Sequence, residues 1–520
     1  MEYRKNQTVI VTIEDIGMNG EGIGRADGYT LFVKDAIVGD EVEASLTKVK
    51  KTYAYARLVK ILKPSKDRIL PPCAISRQCG GCQLQALSYE AQLVFKQNKV
   101  RNDLIRIGGL DADHLDRIME RIVPAERAFA PEQDAAETQV LPAGFRYRNK
   151  AQYPVGTDKD GNPVAGFFAA RTHAIIKTDD CLLGPAINKR IVDTILAHMK
   201  KYGIAAYDEN SGTGTVRHIM IRSGLFSAQI MVCMVINGRT LKDADALVDE
   251  LKQIPGMTSI FLNVQQDRTN VIMGKENVLL WGQETIEDTI HVCNVRDFSR
   301  TDETLTYAIS PLSFYQVNPV QTERMYSQAL HYADLHGTET VWDLYCGIGT
   351  ISLFMARHAK RVIGVEIVEP AVEDARKNAD RNGINNASFY TGKAEEVLPA
   401  FYRDHEADDL SHPNVIVVDP PRKGCDEKCL ETMVMMKPEK IVYVSCDPAT
   451  LARDIKYLTE RGYVLTKVRP FDNFPQTVHV ESCVLLERVS NRKADSYVKL
   501  NVKMEDYYRI KDSKGGEADG

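Results

Sequence analysis

Two short signatures constrain this chain more than anything else in it. Val415-Ile416-Val417-Val418 runs straight into Asp419-Pro420-Pro421-Arg422-Lys423-Gly424. Lys440-Ile441-Val442-Tyr443-Val444 runs into Ser445-Cys446-Asp447-Pro448. Each is an apolar, β-branched run stopped by a polar, proline-marked turn. A run of that kind reads as a strand buried on both faces, the condition of a parallel sheet. Polar groups just past the carboxyl ends of such strands stand where open α/β sheets bind ligands. Asp419 and Cys446 are therefore expected to project into one crevice.

The flanking sequence supplies the rest of such a sheet. Thr340–Tyr345, Arg361–Glu366, Ser388–Thr391, Tyr463–Arg469 and His479–Glu487 read as strands, and Gly349–His358 and Pro370–Arg381 as helices. The alternation predicts a doubly wound parallel sheet. Its first turn, Asp343-Leu344-Tyr345-Cys346-Gly347-Ile348-Gly349-Thr350, carries two glycines, and Glu366 ends the next strand, where a carboxylate can accept both hydroxyls of a ribose. Ser352 stands where a pyrophosphate-binding turn has its third glycine. That favours S-adenosylmethionine, which carries no phosphate, over a dinucleotide. Asp-Pro-Pro also occurs in enzymes that methylate exocyclic amines. Those need an aromatic residue after the prolines, and Arg422 stands there instead. Cys446, at a strand end just before a helix, is expected to have a depressed pKa and to act as a nucleophile.

Toward the N-terminus the pattern changes. Thr8–Ile13, Thr30–Val33, Glu41–Leu46 and Ala54–Ile61 are short strands punctuated by Gly20, Gly22, Gly24 and Gly28, which predicts a small closed barrel. Lys48, Lys50, Lys51, Tyr53 and Tyr55 mix cations with rings, a combination suited to a phosphate backbone and a stacked base. Gly20-Glu21-Gly22-Ile23-Gly24-Arg25 and Val38-Gly39-Asp40-Glu41-Val42 resemble a TRAM domain, an RNA-binding barrel. Cys73, Cys79 and Cys82 then cluster beside Gly80-Gly81, and Cys181 would complete a four-thiolate set for zinc or an iron–sulfur cluster. Tyr89–Ile107 has a helical stripe of Leu93, Val94, Val100, Leu104 and Ile105 among lysines 96 and 99 and Arg101. Residues 111–142 read as a variable insertion. Arg146, Arg148, Lys150 and Arg171 form a candidate phosphate-contact face, Arg217–Arg222 and Ala228–Ile236 a hairpin, and His218 a packed histidine.

The chain's 520 residues allow about three domains. The net charge of -5 neither requires nor excludes nucleic acid, since a basic face can coexist with an acidic total. No apolar run reaches membrane-span length and no secretory apolar segment opens the chain, so cytoplasmic placement is expected.

Together Ser313–Asn318, Asp343–Thr350, Asp419–Gly424, Ser445–Asp454 and His479-Val480-Glu481-Ser482 resemble the RNA (uracil-5-)-methyltransferase family, specifically its 23S ribosomal RNA branch. The resemblance implies an α/β protein with a TRAM, OB-like barrel over 1–64, a cluster-bearing central α+β RNA-binding region over 65–310, a class I S-adenosylmethionine-dependent methyltransferase domain over 311–490 and a charged tail over 491–520. It implies a [4Fe-4S] cluster on Cys73, Cys79, Cys82 and Cys181, and S-adenosylmethionine contacts from Gln316, Tyr345, Glu366 and Asp419. It also implies Cys446 as nucleophile and Glu481 as base, acting on ribosomal RNA as a monomer without membrane contact. A transfer-RNA uridine substrate and an amine methyltransferase are the alternatives.

Overall fold

A computed structural model of the chain describes residues 3–129, 141, 143–170, 172–178, 180–404 and 412–489. Arg171, residues 130–140 of the expected insertion, and the tail with its expected strand at Val498–Met504 lie outside the described residues.

Strands β1 (Thr8–Ile16), β2 (Gly22–Ala26), β3 (Tyr29–Lys34), β4 (Glu41–Val49) and β5 (Tyr53–Lys63) close a barrel in the order β1-β2-β3-β5-β4. Alternation drives closure: Val11, Ile13, Leu31, Val33, Val42 and Leu46 fill the interior. Gly22 and Gly24, expected in a turn, lie inside β2. A Cβ on Gly24 would stand 2.3 Å from the Thr12 carbonyl oxygen, so the missing side chain lets two strands cross closely. The rings of Phe32, Tyr53 and Tyr55 gather at 5.5–5.7 Å beside exposed Lys48, Lys50 and Lys51, so the expected basic and aromatic patch does assemble.

Helix α1 (Tyr89–Arg106) starts at Ser88, whose hydroxyl caps it. Its buried face is Gln92, Lys96, Val100 and Leu104, so Val100 and Leu104 of the expected stripe are buried, Leu93 and Ile105 are half-buried, and Val94 is exposed, the N-terminal part of the stripe being displaced toward Gln92 and Lys96. The displacement has a specific cause. Lys96 is drawn inward by the Asp472 carboxylate and the Phe474 carbonyl. The expected insertion begins as structure: α2 (Ala112–Ile118) precedes bridges from Met119 to Val468 and from Val123 to Phe471.

The central sheet contains β6 (Lys150–Thr157), β7 (Pro163–Phe168), β8 (Ile175–Lys177), β9 (Val216–Ser223), β10 (Ile230–Ile236), β11 (Met257–Val264) and β12 (Glu276–Gly282), ordered β12-β11-β10-β9-β6-β7-β8. β9 and β10 form the expected hairpin. Helices α3 (Ile187–Tyr202) and α4 (Ala244–Leu251) cover the face that carries Ile219, Ile221, Val232 and Met234. Met220, Met231, Cys233 and Phe261 point the other way and join the core of the C-terminal half.

A hairpin of β13 (Ile286–Cys293) and β14 (Arg300–Ile309) leads into α5 (Pro319–Ala333). The C-terminal half then alternates β15 (Thr340–Asp343), α6 (Thr350–Ala356), β16 (Arg361–Glu366), α7 (Glu369–Arg381), β17 (Ala387–Thr391), α8 (Ala394–Asp404), β18 (Val415–Val418), α9 (Glu427–Met436), β19 (Lys440–Ser445) and α10 (Pro448–Thr459). It ends with β20 (Tyr463–Phe471) and β21 (Glu481–Arg488). The order β17-β16-β15-β18-β19-β21-β20 bears out the doubly wound sheet, with one difference: β21 runs antiparallel between β19 and β20. Strand order reverses between β15 and β18, which leaves a crevice at their carboxyl ends. Among the described residues no helix is long and apolar enough to cross a membrane.

Candidate active site

The register of β19 on β21 assembles the first part of the site. Ser445 pairs with Ser482, so Cys446, one step on, comes opposite Glu481, one step back. The antiparallel strand that the sequence pattern did not distinguish is thus what brings these two residues together. Burial pushes the Cys446 thiol up to about 12, Glu481 and Asp419 add to that, and the Arg422 guanidinium pulls it down. The depressed thiol expected from the strand-to-helix junction is therefore not found. The N-terminus of α10 is already satisfied by the Asp447 carboxylate, which accepts the Ala449 and Thr450 N–H groups at 2.9 and 3.2 Å, and carboxylates face the sulfur.

Glu481 is fully enclosed. Burial and Asp419 hold its carboxyl well above the usual carboxylate range. Its Oε2 has no hydrogen-bond partner, and neither do both polar atoms of the Asn473 side chain. Asn473 lies beside Glu481 and favours its charged form, without a hydrogen bond of ordinary geometry between them. Unpartnered polar atoms in a buried wall are costly and mark a place for a polar ligand.

On the other side of Asp419, a carboxylate row follows the strand ends. Burial and Asp343 push Asp419 up to about 7, and the Gln316 amide donates to it at 3.3 Å. Burial pushes Asp343 up to about 6 although the Ser352 hydroxyl donates to it at 2.6 Å. Ser352, the residue in place of a third glycine, thus serves the strand end. Glu366 accepts the Gly347 N–H at 3.2 Å and the Val368 N–H at 2.9 Å. Gly347 and Gly349 both have positive φ, 53° and 85°, so this turn needs them for its path. Tyr345 is half-buried with its hydroxyl toward Cys425 and Cys429. Gln316 is anchored from the central sheet, because the Asn149 amide donates to its carbonyl at 3.0 Å. Of the neighbouring rings, Tyr315 is buried with its hydroxyl on Asp288, while Phe314 is 70% exposed.

The four N-terminal-half cysteines do come together from two segments. Cys82 and Cys181 sit within electrostatic range of each other and of Cys73 and Cys79, and burial pushes all four thiols up, Cys181 to about 11. Even so, among the described residues no group of three His, Cys, Asp or Glu side chains stands in a geometry that would hold a metal ion. Arg146 is not on a phosphate-contact face. It is buried and donates to the Asp180 carboxylate and to the carbonyls of Cys181 and Gly184, at 2.8–3.1 Å for the carbonyls, so it braces the Cys181 segment. Lys150 is also drawn inside, where burial lowers it to about 7.

One segment joins the two sulfur sites. The Gln83 and Leu84 N–H groups donate to the Gln476 carbonyl at 2.9 and 3.0 Å, Tyr147 donates to Pro475, and Lys99 to Val478. The Asn318 amide holds the Asn473 carbonyl at 3.1 Å. Residues 472–480, which lead into Glu481, are thus pinned from the cysteine segment, from α1 and from α5. Nothing local in the sequence marks Asn473, an asparagine before Phe474-Pro475, as a site residue. Arg422, a misfit after the two prolines when read from the sequence, carries the charge that favours a Cys446 thiolate.

Comparison with known proteins gives this geometry a context. The tRNA (Uracil-5-)-methyltransferase family pattern matches residues 226–489 and the TRAM domain pattern residues 3–59. An uncharacterized RNA methyltransferase of Listeria monocytogenes is 45% identical over 483 residues, covering 93% of this chain and 98% of its own. Another, from Clostridium tetani, is 42% identical over 491 residues, covering 94% and 98%. The crystal structure of Pyrococcus abyssi tRNA (uracil-54, C5)-methyltransferase in complex with S-adenosyl-L-homocysteine superposes with a TM-score of 0.68 at 25% identity, over 92% of this chain and 100% of that one. The chain belongs to the tRNA (uracil-5-)-methyltransferase family of S-adenosylmethionine-dependent RNA methyltransferases and carries a TRAM domain at its N-terminal end.

Proposed function

We propose that the protein methylates carbon 5 of uridine in 23S ribosomal RNA through a transient bond between Cys446 and carbon 6 of the ring. The observation that carries this reading is the placement of Cys446 opposite Glu481, with Asp419 between them and the glycine turn. Carbon 5 of uracil is too poor a nucleophile to be methylated unaided. The Cys446 thiol gives its proton to solvent as its sulfur bonds to carbon 6, and the ring's electron pair moves to carbon 5 and the carbonyl at carbon 4. S-adenosylmethionine supplies the electrophilic methyl group. Carbon 5 then holds both a methyl group and its original proton. Glu481 takes that proton, the electrons restore the ring double bond, and the sulfur leaves. Burial and Asp419 raise the proton affinity of Glu481, so in its ionised form it is a stronger base than an exposed carboxylate. Gln316, Tyr345, Glu366 and Asp419 hold the cofactor, with Glu366 at the ribose. The barrel and the central region, over 1–64 and 65–310, grip the RNA, and 311–490 performs the transfer.

Cys73, Cys79, Cys82 and Cys181 are assigned to a [4Fe-4S] cluster. The residue types are those such a cluster takes: four cysteines from two segments within electrostatic range of one another, with the Gly81 N–H donating to the Cys79 sulfur at 3.4 Å. When bound, the cluster stabilises the thiolates and ties two distant segments together. Iron and acid-labile sulfide in anaerobically purified protein check this, and zinc without sulfide would overturn it. A transfer-RNA substrate is the second reading. It is favoured by the likeness to the Pyrococcus abyssi enzyme, which extends over 92% of this chain. Mapping 5-methyluridine in ribosomal and transfer RNA from cells with and without the protein decides between them. The ribosomal reading expects loss at a 23S position, and loss confined to transfer RNA would replace it.

A further inference from the structure

The central sheet carries a second cavity, of about 640 Å³, away from the strand ends of the C-terminal half. That volume lies within the range of small-molecule and nucleotide pockets. Pro154, Gly156, Val164, Phe168 and His218 contribute to its walls from β6, β7 and β9. Tyr153, Ala165 and Ile219 point into the core beneath α3 and α4, while Val155 and Ala206 border both that core and the cavity. The face of β9 that carries His218 also carries Met220, which joins the core of the C-terminal half. Arg222, which shares this face with His218, donates to the carbonyls of Pro311 and Ser313 in the segment leading to Gln316. His218 and Arg222 stand four positions apart along β9, roughly 13 Å, with buried Met220 between them.

Its chemistry is that of flat rings with one unmet polar atom. Phe168 and His173 stack with centroids 5.1 Å apart at 26°, and Glu209 fixes the His173 ring by a contact of 2.6 Å to Nδ1. Tyr207 forms another wall, its ring covered by the Arg217 guanidinium at 4.3 Å. His218 is 9% exposed, and its Nδ1 has no hydrogen-bond partner. Burial and Arg217 hold its imidazole down to about 4, so it is neutral and offers one donor and one acceptor nitrogen. Lys159 and Lys177 are exposed on the lining. Asp158, Asp208 and Glu209 share the lining with these cations, so its charge is mixed, and the Phe168–His173 ring stack is the feature that matches an unpaired base.

We propose that this cavity is a second nucleotide-binding subsite, which takes an unpaired base of the RNA substrate other than the one in the active site. The inference rests on the reading of the protein as an RNA methyltransferase and extends it to substrate selection. A base clamped here fixes the register of the strand, so that only uridines at a set spacing from a second unpaired nucleotide reach Cys446. The hairpin that bears Phe168 is itself pinned to the cysteine segment, by the Gly80 N–H donating to the Phe168 carbonyl at 3.1 Å and by the bridge between Cys79 and Ala169.

The test uses the full chain and fluorescence anisotropy with a labelled single-stranded RNA of mixed sequence and a labelled duplex of equal length. Phe168→Ala, His173→Ala and His218→Ala are each expected to weaken single-strand binding roughly tenfold, the scale of losing one stacked or edge-bonded base, and to leave duplex binding unchanged. His173 is exposed, so its variant reports on the cavity even if His218→Ala unfolds. Equal single-strand affinity in wild type and variants, including no binding by either, overturns the subsite. So does a loss of equal size on the duplex. Methyl transfer to ribosomal RNA, assayed in the same preparations, reports separately on the proposed activity: its absence in wild type would sink that reading while the anisotropy result still decides the cavity.

Discussion

Cys446 and the quartet of Cys73, Cys79, Cys82 and Cys181 are two sulfur sites built by opposite means. Cys446 is placed by a rigid sheet: one register, Ser445 on Ser482, sets it across from Glu481. The quartet is placed by loops, with Arg146 bracing the Cys181 segment and Gly80 pairing with Phe168. Yet burial suppresses the thiolate at both, to about 12 at Cys446 and about 11 at Cys181. Burial alone therefore does not activate a cysteine. On the proposed reading each site is completed by what binds it: an electrophilic ring at Cys446, and a cationic centre at the quartet. The two are also physically joined, because Gln83 and Leu84 hold the Gln476 carbonyl in the segment that leads to Glu481.

The sharpest way to break this contrast is to remove one sulfur at a time. Cys446→Ala should abolish turnover and the covalent adduct with 5-fluorouridine RNA, read on a denaturing gel, whereas Cys82→Ser should still form the adduct. Full activity in Cys446→Ala would end the covalent account. Glu481→Gln should lower turnover about 10²- to 10⁴-fold and accumulate the methylated RNA–protein complex. Release of free product at the wild-type rate would remove Glu481 as the base. Cys181→Ser acts only through position. It should lose iron, lower the melting temperature and cost up to about a hundredfold in kcat, since small displacements of Glu481 are enough for that. An unchanged kcat would show that the two sites are independent.

The smallest effect concerns pH. The Cys446 thiol lies above the ordinary cysteine range, so its thiolate fraction should rise about tenfold per pH unit from 7 to 10. Iodoacetamide labelling of Cys446 should follow that slope without levelling near 8.5. Because Glu481 raises this thiol, Glu481→Gln should lower its pKa and speed labelling several-fold at fixed pH. A plateau near 8.5 in wild type would mean that neither burial nor the carboxylates are felt at the sulfur.

Much of the fold was legible because its signals are local. The apolar runs that stop at Asp419 and Cys446 became β18 and β19, and alternation around Val42 and Leu46 became the barrel. The misreadings share a cause. Gly22 and Gly24 look like turn residues until Thr12 is seen crossing above them. Lys96 looks solvent-facing until Asp472 is placed beneath it, and Arg146 looks like an RNA contact until Asp180 and the Cys181 carbonyl enclose it. Each was decided by a residue distant in sequence.

By itself, the order of residues determined where strands stop and which chemical groups stand at their ends, since β-branched runs and proline turns act within a few residues. Tertiary structure alone decided what those groups experience. The antiparallel insertion of β21 set Glu481 against Cys446, and burial, together with the field of Glu481, Asp419 and Arg422, set the state of the sulfur. Electrostatics and desolvation act through space, so they depend on which segments fold together rather than on which residues are adjacent in the chain.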